Sequence, residues 1–118
     1  MKKIIILLVL VLAVVAGVYA SNWSPYVFIV ENEGVKLYAK IQVNSENTYV
    51  RWKVENNTDR RCQATVADKQ YMVTSGGYDY THPDVQSDVR AHDDYVFVED
   101  IVQGEVTQAG ATLYVKWL

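Results

Sequence analysis

Apolar and polar side chains alternate with a period of two along most of the chain. That pattern marks strands half-buried in antiparallel sheets, not helices. In VKLYAKIQV, Val35, Leu37, Ala39, Ile41 and Val43 share one face, and Lys36, Tyr38, Lys40 and Gln42 the other. In TYVRWKVEN the inward set is Val50, Trp52 and Val54, against Tyr49, Arg51, Lys53 and Glu55. Asn44-Ser45-Glu46-Asn47 predicts the hairpin loop between them, and Asn56-Asn57-Thr58-Asp59 the next turn. RCQATV predicts a third strand over Arg61–Val66, closed by a turn at Asp68-Lys69. Tyr71–Thr74 follows, and Ser75-Gly76-Gly77 breaks the pattern. YVFVEDIV, Tyr95–Val102, is apolar on both faces around Val96-Phe97-Val98, which predicts a central strand or a sandwich core strand. Gln103-Gly104 predicts a turn or bulge, and Thr107–Gly110 a further turn. The last strand is ATLYVKWL, with Leu113, Val115 and Trp117 on one face. Near the start, Tyr26–Val30 predicts a short strand entered through Pro25.

About seven short strands with almost no helical pattern describe an all-β fold, an antiparallel β-sandwich or a small barrel, with the sandwich favoured. Its two inner faces draw on the strands of Trp52, Phe97 and Trp117. The length, and the strand WKVENNT with its inward Trp and Asn-rich turn, resemble an immunoglobulin-like or fibronectin-type sandwich. The paired cysteines of antibody domains are absent.

The first 20 residues do not fit this pattern. Met1-Lys2-Lys3 is a positive start, Ile4–Ala16 is unbroken apolar sequence, and Val18-Tyr19-Ala20 carries small residues at the two cleavage-site positions. Residues 1–20 therefore read as a secretory signal peptide and 21–118 as one domain, secreted or periplasmic. The apolar run falls short of the roughly 20 residues of a stable membrane helix, so no lasting insertion is expected after cleavage. An uncleaved signal-anchor is the alternative. The Lys-Lys start and the Val/Leu/Ile-rich run look bacterial.

Removing the signal sharpens the charge. The chain has 11 Lys+Arg and 14 Asp+Glu, and Lys2 and Lys3 leave with the signal, which gives net −5. That argues against nucleic acid and against anionic membrane surfaces, both of which need clustered cations. With one cysteine, Cys62, no internal disulfide can form. Cys62 shares a face with Ala64 and Val66 and reads as a small buried apolar side chain, with an intermolecular disulfide as the sharper alternative.

Candidate chemistry concentrates in GGYDYTHPDVQSDVRAHDDY, Gly76–Tyr95, which holds both histidines and five aspartates. As a helix it would align Asp84, Asp88 and His92 on one face. As a strand it points Val85, Ser87, Val89 and Ala91 inward, and the β context favours an extended or irregular crossing with a strand at Val85–Arg90. Asp84, Asp88 and His92 are the candidate metal ligands, calcium ahead of zinc, since calcium takes six to eight oxygens and zinc takes His nitrogen. No EF-hand, HExxH, GxSxG or phosphate-cradling glycine loop is present. Nothing else meets the requirements of a catalytic site, so no enzymatic activity is expected. Tyrosine occurs nine times. Tyr38, Tyr49 and Tyr114 sit on polar faces, where cross-strand pairing accounts for them. Tyr78 and Tyr80 flank Asp79 on a Gly-flanked loop, where function concentrates. The sequence thus points to an exported binding module that takes a protein or glycan partner through Tyr78, Asp79, Tyr80 and His82. The alternatives are a self-assembling surface protein that pairs through an edge strand and a metal-dependent hydrolase.

Overall fold

The computed structural model describes residues 3–11, 22–44, 46–74 and 76–118, the first of these by backbone alone. Among the described residues the chain forms ten strands and no helix. They are β1 (Lys3–Val11), β2 (Val27–Asn32), β3 (Val35–Asn44), β4 (Asn47–Asn56), β5 (Cys62–Val73), β6 (Tyr78–Asp79), β7 (Val85–Val89), β8 (Asp93–Val96), β9 (Asp100–Gln103) and β10 (Val106–Trp117). One antiparallel sheet, sheet A, runs β1-β10-β5-β6, with β7 also paired to β5. Sheet B runs β2-β3-β4-β8, with β9 also paired to β4.

The period-two pattern explains sheet B. Strand β3 alternates buried and half-buried side chains without a break over all ten residues, and β4 does the same in the opposite phase. Their register pairs Ala39 with Trp52 and Ile41 with Val50, so both apolar sets face the core. The β2–β3 hairpin turns at Glu33 and Gly34, both at positive φ (52° and 89°), as a two-residue type I′ turn demands. A side chain at Gly34 would meet Thr58 Cγ2 at 2.7 Å. Three consecutive strands, β2, β3 and β4, lie in one sheet. In the immunoglobulin arrangement the third of such a run moves to the opposite sheet, so the strand order departs from it.

Two bulges correct the sequence reading of sheet A. Strand β5 does not turn at Asp68-Lys69; it continues to Val73. Gln70 pairs with Gly110 and Ala67 with Thr112, so Asp68 and Lys69 together face Ala111. The extra residue sits at Asp68, at φ 53°, and its free N–H donates to Asp84 Oδ1 at 3.2 Å. A one-residue slip reverses the faces of everything after it. Lys69 and Tyr71 therefore point inward. Likewise, Thr107–Gly110 is not a turn; a bulge between Val106 and Gln108 lets β10 run for twelve residues.

Tyr95–Val102 is also not one central strand. It divides into β8 and β9 along the edge of sheet B, and Val98 between them is 84% exposed. Phe97 alone of the Val96-Phe97-Val98 run enters the core. The core itself is continuous between the sheets, with Ile29, Leu37, Ile41, Trp52 and Val54 meeting Val66, Tyr71, Leu113 and Val115. Asn56 ties the end of β4 to its surroundings. Its Nδ2 donates to the carbonyls of Arg60 (2.8 Å), Val89 (3.3 Å) and Arg90 (3.1 Å), and its Oδ1 accepts from Thr58.

Lys3–Val11, the first part of the apolar run, lies antiparallel on β10 from Lys3↔Lys116 to Val11↔Gln108. The cleavage-site residues Val18–Ala20 and Ser21 lie outside the described residues. Among those described, no helix is long and apolar enough to cross a membrane.

Candidate functional site

The loop between β5 and β7 carries the residues singled out from sequence, and it divides them into two sets. Tyr78 and Tyr80 face outward, 47% and 64% exposed, and stack on each other at 5.7 Å between ring centres and 26° between planes. Asp79 and His82 turn inward. Asp79 accepts from the Thr81 N–H at 2.8 Å and the Thr81 hydroxyl at 2.6 Å, which fixes the turn. Its second oxygen faces His82 Nε2 at 3.1 Å. Burial opposes ionisation of Asp79, yet the bonds from Thr81 and His82 hold its carboxyl below the usual range.

Beneath the loop lies a polar cluster that sequence reading missed. Lys69, 2% exposed, reaches from sheet A to Asp100 on β9 of sheet B. Its Nζ donates to Asp100 Oδ2 at 2.9 Å and Oδ1 at 3.2 Å. The Tyr71 hydroxyl donates to Asp100 Oδ2, and Trp52 Nε1 donates to the Tyr71 hydroxyl at 2.7 Å. His82 closes the cluster from above, with Nδ1 at 3.7 Å from Asp100 Oδ1 and its ring edge-on to Tyr71 at 5.3 Å. The loop bearing the stacked tyrosines is thereby tied to both sheets. The signal for this cluster was the broken alternation at Ala67–Lys69: read as a turn it hides the pair, read as a bulge it sends Lys69 inside.

Burial and the adjoining Asp100 carboxylate push the Tyr71 hydroxyl far above the usual phenol range. Above about pH 10 an unfolded Tyr71 gives up its proton and the folded one keeps it. The folded state then holds more protons, so stability is complete below that pH and falls above it. The slope from this group is about 1.4 kcal/mol per pH unit. Urea melts between pH 9 and 11 are expected to show it, and Tyr71→Phe to remove that share of the slope.

Asp84, Asp88 and His92 do not converge. Val85–Val89 is a strand, and four residues of strand span about 13 Å. Asp84 serves the bulge at Asp68, Asp88 is exposed, and His92, at φ 55°, faces Asp59 at 2.6 Å. Among the described residues no group of three or more His, Cys, Asp or Glu is placed to hold a metal ion. Cys62 is buried; burial first, and then Asp88, push its thiol up to about 11. At neutral pH its thiol therefore keeps its proton, the form that fits a small buried apolar side chain.

Above β5 the outward residues of β5, β7 and β10 line a shallow groove of about 390 Å³, with Gln63, Thr65, Asp84, Gln86, Tyr114 and Lys116 along it. A second hollow of about 370 Å³ holds Asp68, Gln70, Tyr80 and Thr112. Asp68 lines both, so a polar strip leads from Lys116 to Tyr80. The outer face of sheet B carries a different pattern. Lys40 and Arg51 lie over Trp23 (5.1 and 4.3 Å), and Lys53 over Tyr26 (4.4 Å) and Tyr38 (5.0 Å). Lys40 stands directly opposite Arg51 in the register. Burial, Arg51 and Lys53 hold Lys40 below its usual range. These rings are occupied by the protein's own cations, which accounts for Tyr38 as sheet structure.

The arrangement defines a two-sheet antiparallel β protein with a tyrosine-bearing loop anchored to a buried polar cluster. No protein-family model matches the chain, and no curated protein is similar to it.

Proposed function

We propose that the chain is an exported, non-enzymatic binding module that takes a glycan along the polar strip on sheet A, with the Tyr78–Tyr80 stack at its end. The observation that carries this reading is the exposed ring stack beside amide and carboxylate side chains. A sugar offers C–H faces for an aromatic ring and hydroxyls for groups that donate and accept, and Gln63, Gln86, Asp68 and Tyr80 supply both kinds. The inward pair Asp79 and His82 has a positioning role, because both are engaged beneath the loop. Secretion or periplasmic placement rests on the Lys-Lys start, the apolar run and Val18-Tyr19-Ala20. Capture on a panel of immobilised glycans tests the reading. The double variant Tyr78→Ala/Tyr80→Ala is expected to lose tenfold or more in affinity, about 1.4 kcal/mol. Capture of a protein but no glycan, or capture unchanged in the double variant, contradicts it.

A second reading rests on β1. Once residues 1–20 are removed, the β10 edge that Lys3–Val11 covers becomes open along nine positions. An open edge of that length is a template for strand addition, here by a second copy of the chain. Elution of residues 21–118 as a monomer at every concentration would count against it.

A further inference from the structure

We infer that Lys69 and Asp100 condense to an isopeptide bond, which links the two sheets covalently in a chain that has no disulfide. The pair lies across the sandwich, β5 in sheet A to β9 in sheet B. The nucleophile and the carboxyl are already in contact, at 2.9 and 3.2 Å from Nζ to the two oxygens. Both are sequestered, Lys69 2% and Asp100 9% exposed. Groups held together in this way react at effective concentrations of ~10⁵–10⁸ M. Burial supplies the driving force, because two desolvated charges are replaced by a neutral amide and a water that can leave.

The surrounding groups match the steps. A proton passes from the Lys69 ammonium to the Asp100 carboxylate, which leaves a neutral amine and a carboxylic acid. The Nζ lone pair attacks Cγ, the C–N bond forms, and the carbonyl electron pair moves to Oδ1. His82 Nδ1 lies 3.7 Å from Oδ1 and stabilises the charge that develops there when the ring carries both protons, Nδ1–H toward Oδ1 and Nε2–H on Asp79. Oδ2 takes the second proton from nitrogen and departs as water as the carbonyl reforms. Tyr71, itself receiving the Trp52 N–H, donates to that departing oxygen. One water is lost, and no oxidant or co-reactant enters.

Intact mass of the secreted wild-type protein, measured denatured and reduced, tests this. It is expected to fall below the mass of its sequence by one water, about 18 Da. Trypsin should then fail to cut at Lys69 and release Cys62–Arg90 joined to Ala91–Lys116. Lys69→Arg should restore the full mass. A wild-type mass equal to that of the sequence overturns the proposal. So does the loss of one water with free Cys62–Lys69 and Gln70–Arg90 peptides, because the dehydration then lies elsewhere. Both readouts use the wild-type protein and do not depend on the variant folding.

Discussion

Replacement of Lys69 by Ala is expected to destabilise the domain by about 3–5 kcal/mol relative to the uncondensed Lys69–Asp100 pair, the cost of removing one partner of a buried ion pair, and to abolish the cross-link as well. Asp100, 9% exposed in the wild type, would lose the Lys69 ammonium from both oxygens and keep Tyr71 and His82 Nδ1 as neighbours. In a domain of this size each kcal/mol moves the thermal midpoint by roughly 4–8 °C, so a fall of roughly 12 °C or more is expected. The contrast is Lys40→Ala. Lys40 is half-exposed on sheet B and stands opposite another cation, so its removal should change the midpoint little. A small effect at Lys69 would mean that the side chain escapes to solvent and that the bulge at Asp68 does not hold it inside.

Trp52→Ala is expected to cost a similar amount, about 3–5 kcal/mol, for a different reason. Trp52 is fully buried at the centre of β4 and sits against Tyr71 with ring centres 6.3 Å apart. Its removal opens a cavity between the sheets and takes away the N–H that orients the Tyr71 hydroxyl. Trp52→Phe separates the two effects. It keeps most of the ring volume and loses the N–H, so it should cost about 1–3 kcal/mol. Chemical denaturation of the three proteins measures both steps, and equal losses for Phe and Ala would assign the effect to the hydrogen bond.

Where alternation was uninterrupted, the sequence was enough. Val35–Val43 and Tyr49–Asn56 became strands with the faces expected, because a strict period of two leaves one way to bury the apolar set. Val85–Val89 was legible for another reason: its own residues suit helix and strand about equally, and the β context around it decided for the strand over the helix that would have gathered Asp84, Asp88 and His92. The failures came from bulges. A single extra residue at Asp68, and another near Thr107, breaks the period locally just as a turn does, and Asp and Gly favour both. The pairing partner distinguishes the two, and that partner is distant in sequence: Asp84 for Asp68, and Met72 for Gln108. The apolar run Val96-Phe97-Val98 misled through composition, since an edge strand interrupted at residue 98 can leave Val exposed. At the loop, Tyr78 and Tyr80 were legible as surface rings because glycines flank them. Asp79 and His82 were legible as polar groups with a role, but not as groups that face the core. Lys69 was read as part of a turn, and Tyr71 and Asp100 lie in stretches to which the alternation assigned no inward face.

Amide chemical-shift mapping of the secreted protein, titrated with a glycan that the panel captures, tests the binding site most directly. The predicted result is a set of shifting resonances confined to Gln63–Gln70, Tyr78–Thr81 and Gln86, absent in Tyr78→Ala/Tyr80→Ala. Shifts that gather on Trp23, Lys40 and Arg51 of sheet B, or along β10 away from the groove, would contradict the site.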